Sequence, residues 1–237
     1  MQNKIQILCT KKISNSLIQL AEEYNISFDE LNFIKTEESV SEEVRKRIIE
    51  LSTRNISAIF TSSNAVNAVE KIVYSCLQWK IYCIEPGTKK KIENAFEKAL
   101  VAGTAKDATG LSEIIIKDKP VNQVVFFCGN QRRDILPDKL NANGIRVEEL
   151  IVYKTIANPH LVSKNYDGIL FFSPSAVKSF FSKNEIQPET ILFAIGKTTA
   201  EEVKNYSNNT TIISVIPDTK TLIADVIKHF SSIKIFK

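Results

Sequence analysis

Residues 191–203 read Ile-Leu-Phe-Ala-Ile-Gly-Lys-Thr-Thr-Ala-Glu-Glu-Val. A short apolar run stops at Gly196, two hydroxyl residues follow, and a helix-forming segment begins. A buried parallel strand that turns directly into a helix has this signature. Such a turn leaves the first backbone N–H groups of the helix outside its hydrogen-bond ladder, beside the positive end of the dipole. It is a ready socket for a carboxylate or a phosphate. The chain carries the pattern several times.

Working outward, Thr211–Val215 reads as a strand and Thr219–Phe230 as a last helix. Upstream, the strand Gly168–Phe172 turns through Ser173-Pro174-Ser175 into the helix Ala176–Phe181. In the first half, Lys4–Cys9 is a strand, Ile13–Tyr24 a helix and Ile26–Lys35 an extended segment. Val40–Ser52 is a helix with Val44, Ile48 and Leu51 on one face. The strand Ile56–Phe60 turns through Thr61-Ser62-Ser63-Asn64 into the helix Ala65–Leu77. The strand Ile81–Ile84 turns through Glu85-Pro86-Gly87-Thr88 into a helix ending near Leu100. Pro86 suits a helix start because it has no N–H to leave unpaired. Thr109–Ile116 is a short helix, Gln123–Cys128 a strand, Gly129–Arg133 a loop and Ile135–Asn141 a helix that stops near Gly144. Ile145–Ile156 is a long β-rich run. Alternating strands and helices predict α/β architecture, with parallel sheets covered by helices on both faces. Ligands then bind beyond the carboxyl ends of the strands, where these turns lie.

Composition sets the outer bounds. With 237 residues, 43% of them apolar and 24% charged, the chain has room for one large domain or two small ones. A net charge of +4 suits an acidic small substrate. The basic residues are too dispersed for a nucleic-acid surface, gathering only in short clusters such as Lys89–Lys91 and Arg132–Arg133. Runs such as Val124–Cys128 are too short to span a bilayer, and Ile5–Cys9 is too short for a secretory signal. Cys9, Cys76, Cys83 and Cys128 have no metal-binding spacing, and three of them lie in strand-like segments as buried thiols would. These features predict a cytoplasmic, metal-free protein with no membrane or nucleic-acid partner, and a monomer is expected.

The two halves align at a constant offset of 111 residues, Phe60 falling on Phe171. Phe60-Thr61-Ser62-Ser63-Asn64-Ala65-Val66 then falls on Phe171-Phe172-Ser173-Pro174-Ser175-Ala176-Val177, and Glu85-Pro86-Gly87-Thr88 on Gly196-Lys197-Thr198-Thr199. Asp107 and Leu111 fall on Asp218 and Leu222 in the same register. Three matches in one register predict two similar α/β domains. The repeat begins after Lys35 and breaks at Ile156, in extended segments. The first domain is therefore read as residues 1–34 with 157–237, the second as 37–149, and residues 35–36 and 150–156 as a two-stranded linker beside a cleft.

At this point the sequence resembles the uroporphyrinogen-III synthase family. The resemblance is carried by Phe60–Val66, by Gly144-Ile145-Arg146-Val147 leading to Val152-Tyr153-Lys154-Thr155, by Phe172–Val177, and by Ala194-Ile195-Gly196-Lys197-Thr198-Thr199-Ala200. Glu85 departs from the glycine usual there, and Cys128 stands where many members carry an arginine. The resemblance implies an active site between two α/β domains and a linear tetrapyrrole substrate, hydroxymethylbilane, with an acetate and a propionate on every ring. It implies loss of the terminal hydroxyl as water, inversion of the last ring through a spiro intermediate and closure of the macrocycle. The pyrrole nitrogens supply the electron push, so no cofactor is implied. Gly196, Lys197, Thr198 and Thr199 are then expected to bind substrate carboxylates, as are Ser173 and Ser175 one strand over, with Ser62, Ser63 and Thr88 on the opposite wall. Tyr153 is expected to hydrogen-bond the departing hydroxyl or to protonate it, since a tyrosine holds its phenol proton at neutral pH.

Simpler readings compete residue by residue. Serine and threonine at helix starts usually serve as N-caps, and taken singly Ser62, Ser63, Thr88 and Ser175 read that way. Tyr153 also suits a linker strand, and Lys89–Lys91 a solvated helix face. Arg132 and Arg133 read as surface residues, and Asp107 and Asp218 as turn or cap residues. At the level of function, a non-catalytic two-lobed module closing on a small anion would share the same pattern. A nucleotide-binding protein would not, because GxGxxG and GxxxxGK[ST] segments are absent. If Lys197 and Lys89–Lys91 draw in a polyanion, the apparent Michaelis constant for the tetrapyrrole rises with ionic strength. Steady-state kinetics across a salt series checks this, and a flat profile removes the steering role.

Overall fold

The computed structural model describes residues 4–73, 78–96, 99–118, 123–132 and 134–233. Cys76 and Arg133 lie outside the described residues, as do positions 74–77 of the helix expected over Ala65–Leu77, which already ends at Glu70 with Lys71 as its C-cap. The chain runs β1 (Ile5–Cys9), α1 (Asn15–Glu22), β2 (Ile26–Glu30), β3 (Ile34–Glu38), α2 (Glu42–Ser52), β4 (Ser57–Phe60) and α3 (Ser63–Glu70). It continues through β5 (Lys80–Ile84), α4 (Gly87–Ala95), β6 (Leu100–Ala105), α5 (Ala108–Asp118), β7 (Gln123–Gly129), α6 (Ile135–Ala142) and β8 (Arg146–Ala157). Then follow β9 (Gly168–Phe171), α7 (Pro174–Phe181), β10 (Ile191–Ala194), α8 (Lys197–Lys204), β11 (Thr211–Ile213) and α9 (Thr219–Ile233). The elements form two compact units, Met1–Lys35 with Ile156–Lys237, and Thr36–Thr155.

The first unit is a five-stranded sheet in the order β11-β10-β9-β1-β2, with every pair parallel. Its strands are apolar on both faces because helices cover both. On one face Ile7, Leu170 and Phe193 pack with Ala21 of α1 and Leu222, Ile223 and Val226 of α9. On the other, Leu8, Ile169 and Phe171 pack with Val177 and Phe180 of α7 and Val203 of α8. From β1 the chain winds to one side, and from β9 to the other. The β1–β9 boundary is thus the point where strand order reverses.

The second unit has a six-stranded sheet in the order β3-β8-β7-β4-β5-β6. Pairs β4–β5, β4–β7, β5–β6 and β7–β8 are parallel. Helices α2, α3 and α4 cover the face of Phe60 and Phe127, while α5 and α6 cover the face of Ile59 and Phe126. Cross-strand partners Phe60 and Phe127 stack at 4.9 Å between centroids, and Trp79 stacks on Phe127 at 5.3 Å. The buried Trp79 indole donates to the Leu51 carbonyl at 3.0 Å, so its polar edge is satisfied. Here the order reverses between β4 and β7.

Leaving β3 aside, the two sheets have one spatial plan with the chain cut differently. β4, β5 and β6 occupy the places of β9, β10 and β11, while β7 and β8 occupy those of β1 and β2. The register of 111 residues carries through to the helix caps. Asp107 Oδ1 accepts from the Gly110 N–H at 2.8 Å, and Asp218 Oδ1 from the Thr221 N–H at 2.9 Å. The Thr221 hydroxyl, donating to Asp218 Oδ2 at 2.6 Å, and then the Thr221 N–H hold the Asp218 carboxyl below the usual carboxylate range.

One expectation needs correction. The helix after Pro86 ends at Ala95, and Leu100–Ala105 is strand β6. Its Leu-Val-Ala-Gly-Thr-Ala sequence has little intrinsic β preference. The parallel ladder with β5 makes it a strand. Gly103 allows the close approach of α5, since a Cβ there would lie 2.6 Å from Ile114 Cγ2. The extended segment Ile26–Lys35 also divides, into β2 and the start of β3.

In the first unit, His229 packs edge-on against Phe230 and Phe193, and its Nε2 has no hydrogen-bond partner among the described residues. Burial lowers its pKa below the ordinary 6.5, because the charged ring would lose water without gaining a partner. The unfolded chain then takes up this proton at higher pH than the folded one, so stability is lost as pH falls below about 6.5. Chemical denaturation from about pH 7.5 down to about pH 5 should show a decline that is shallower in His229→Leu. Equal slopes in the two proteins would remove His229 from that dependence.

Candidate active site

Each unit gathers its candidate residues at the carboxyl edge of its own sheet. In the first unit, Phe171 of β9 lies beside Ala194 of β10, so the turns that follow are neighbours. The Ile195 N–H donates to the Phe171 carbonyl at 3.0 Å and holds the second turn against the first. Ser173 is extended and its Oγ accepts from the Ala176 N–H at 3.2 Å, capping α7. That bond uses one lone pair and leaves the hydroxyl hydrogen for another acceptor. Ser175 is half-buried in the first turn of α7.

Gly196 caps α8 at φ −178° and ψ 174°, an extended conformation open to any residue. A Cβ there would meet only Pro217 Cβ, at 3.8 Å. The glycine is thus not required by backbone shape; it keeps the approach to the helix start clear. Lys197 and Thr198 are exposed. Thr199 is 2% exposed, and its N–H already donates to the Gly196 carbonyl.

In the second unit, Ser62 Oγ accepts from the Asn64 N–H at 3.2 Å and caps α3. The turns after β4 and β5 adjoin, because a Cβ on Gly87 would stand 4.0 Å from Ser63 Oγ. Thr88 is 6% exposed, so it sits beneath its turn, as Thr199 does in the first unit. Glu85 accepts from Thr104 Oγ1 at 3.0 Å and is tethered to β6. Of the basic clusters, Lys91 pairs with Glu70 at 2.8 Å, and Arg132 is held by Glu149 and Asp134.

Tyr153 reaches the same edge from β8, paired with Gly129 at the end of β7. A Cβ on Gly129 would lie 2.5 Å from Tyr153 Cε2 and Cζ and 2.9 Å from its hydroxyl. The phenol therefore lies directly against the Gly129 backbone. Asn130 fixes the strand beyond it. Its Oδ1 accepts from the Thr155 N–H at 2.8 Å, and its own N–H donates to the Tyr153 carbonyl at 3.2 Å. The side-chain amide thus acts as one more rung of the ladder.

Ser62, Ser63, Thr88 and Tyr153 are brought together in one unit, and Ser173, Ser175 and Gly196–Thr199 in the other. A scan against family models matches residues 15–224 to uroporphyrinogen-III synthase HemD. The chain belongs to the uroporphyrinogen-III synthase family. A curated uroporphyrinogen-III synthase of Saccharomyces cerevisiae is 25% identical over 204 residues, covering 70% of this chain and 73% of the yeast protein. Crystal structures of the Helicobacter pylori synthetase (TM-score 0.69, 16% identity) and a Thermus thermophilus synthase mutant (TM-score 0.66, 14% identity) share the fold. The first alignment covers 95% of this chain and 99% of the solved one, the second 97% and 99%.

For a uroporphyrinogen-III synthase family member, the edges offer hydroxyls, amides and a phenol rather than an ionised nucleophile. Burial pushes the thiols of Cys9, Cys83 and Cys128 up, the latter two to about 11, so they stay protonated at neutral pH. Among the described residues no three His, Cys, Asp or Glu side chains gather as metal ligands, and no helix is long and apolar enough to cross a membrane.

Three features at these edges carry no sequence signal of their own. Gly129 and Asn130 read as part of a loop, and Lys11, followed directly by Lys12, stands in no motif. Gly129→Ala should displace the Tyr153 ring while leaving the buried strands β4 and β7 in place. The expected result is a fall in kcat of about tenfold or more with a near-native unfolding midpoint. Native kcat in a folded Gly129→Ala protein would show that the ring does not need its seat.

Proposed function

We propose that the turns at both sheet edges hold hydroxymethylbilane by its carboxylates while Tyr153 assists departure of the terminal hydroxyl. The reaction is that of the family, a cyclising hydro-lyase step of heme biosynthesis. Hydroxymethylbilane loses water, ring D is inverted, and the macrocycle closes as uroporphyrinogen III. The chemistry asks little of the protein beyond geometry, because the pyrrole nitrogens push electrons toward the leaving hydroxyl. What costs free energy is folding back a flexible chain. Holding reacting ends together can contribute roughly 7–11 kcal/mol of a barrier.

The seat of Tyr153 against Gly129 carries this reading, since it fixes one proton donor at an edge otherwise made of anion-binding groups. The phenol donates its proton to the leaving oxygen as the carbon–oxygen bond breaks, and regains one from solvent. Ser173 and Ser175, with the start of α8 at Gly196, Lys197 and Thr198, take acetate and propionate groups. Ser62 and Ser63 do the same in the other unit. Thr88 and Thr199, both buried, support their turns from beneath. The same reading makes the protein a cytoplasmic monomer that acts without cofactor or nucleic acid, its mild positive charge favouring a polyacid.

The test couples the purified protein to an enzyme that generates hydroxymethylbilane and separates the isomers formed. Mainly type III product is expected. Mainly type I product, the spontaneous outcome, would overturn the assignment and favour a binding module. Tyr153→Phe should lower kcat by about 10²–10⁴-fold if the phenol is a general acid, whereas unchanged turnover would remove that role.

A further inference from the structure

We infer that Lys11, at the strand-order reversal of the five-stranded sheet, is a binding residue that receives one substrate carboxylate. This rests on the substrate class proposed above, but its evidence is separate. In open parallel sheets the loops after two adjacent strands diverge where the chain winds away in opposite directions, and a ligand crevice opens there. Here those strands are β1 and β9, paired through Cys9 and Leu170. Lys11 follows the first and Phe172 follows the second.

The local bonding aims Lys11 at this place. The N–H and hydroxyl of Thr10 both donate to the Leu170 carbonyl, at 3.1 and 2.8 Å, and lock the end of β1 to β9. The Lys11 ammonium then lies 4.3 Å from the centroid of Phe172 and donates to Thr219 Oγ1 at 3.2 Å. Among the described residues it forms no ion pair with a carboxylate. An ammonium has three donors, so a hydroxyl and a ring face leave it underused. Burial lowers its pKa, the sign that lost water is not repaid by a neighbouring acid. Lys12, next in the chain, is exposed.

The surroundings match one arm of an acidic pyrrole. Thr219 supplies a hydroxyl beside the ammonium, and Pro217, two residues before it, lies against Gly196 at the start of α8. The nearby segment leaves Val215 91% and Ile216 57% exposed, an apolar ledge for the ring that carries the carboxylate. A cation, a hydroxyl and an apolar ledge suit a carboxylate on an apolar ring better than they suit a phosphate.

The test compares Lys11→Met, Lys11→Arg and Lys12→Met in two assays, turnover of hydroxymethylbilane and binding of uroporphyrin III by fluorescence. Both Met variants remove one charge, so Lys12→Met controls for long-range steering. The proposal expects Lys11→Met to raise KM and the uroporphyrin Kd by about ten- to a hundredfold, with kcat less affected. Lys12→Met should stay within about twofold, and Lys11→Arg should recover most of the affinity. A folded Lys11→Met protein with native KM and Kd overturns the proposal, as do equal losses in Lys11→Met and Lys12→Met. If Lys11→Met fails to fold, a weakened Kd in folded Lys11→Gln supports the proposal and a native Kd overturns it. If wild type yields only type I product yet binds uroporphyrin in a Lys11-dependent way, the carboxylate seat stands and the catalytic reading falls.

Discussion

Two parallel strand pairs, β1 with β9 and β4 with β7, govern the rest of the molecule. Each joins the two winding directions of its sheet, and each is closed by bonds that leave little freedom. In one, Thr10 spends both its donors on the Leu170 carbonyl. In the other, Phe60 and Phe127 stack across the ladder and Trp79 stacks on Phe127. Where such a pair ends, the following loops must part, and the groups exposed there are backbone amides and short polar side chains. The candidate chemistry sits at these edges because the interior is mostly apolar, its few polar side chains buried, and the edges are where polar groups can remain wet.

A single sheet plan used twice explains why the polar turns come in matched sets. With β4, β5 and β6 standing where β9, β10 and β11 stand, Ser62 and Ser173 become equivalent caps, as do Asp107 and Asp218. The remaining two places are filled by β7 and β8 in one unit and by the N-terminal β1 and β2 in the other. Tyr153 and Lys11 therefore come from the part of the plan where the linear repeat is broken. Each unit adds its own special group to a shared background of hydroxyls and helix starts.

Structural and functional roles do not compete at the capping serines. Ser62 and Ser173 satisfy helix N–H groups, which stabilises each helix by about 1 kcal/mol. Their hydroxyl hydrogens remain available as donors. Gly196 is the complementary case, because its extended backbone needs no glycine and its side of the turn is simply left uncovered.

Much of this was legible in the chain itself. Apolar runs bounded by turns placed eight of the eleven described strands, the cap residues and the repeat, because burial on both faces and N-capping are local demands written in local residue types; β2 and the start of β3 lay in one undivided extended segment. The one strand misread, β6, has a sequence suited to helix or coil; the register of 111 residues that matched Thr211 to Leu100 was the signal that could have placed it. Tertiary structure alone decided which turn residues face solvent, hiding Thr88 and Thr199 while exposing Thr198. It also brought Gly129 under the Tyr153 ring and Lys11 between Phe172 and Thr219. These contacts join residues up to about two hundred positions apart, and such pairings are fixed by sheet order, which no local pattern encodes.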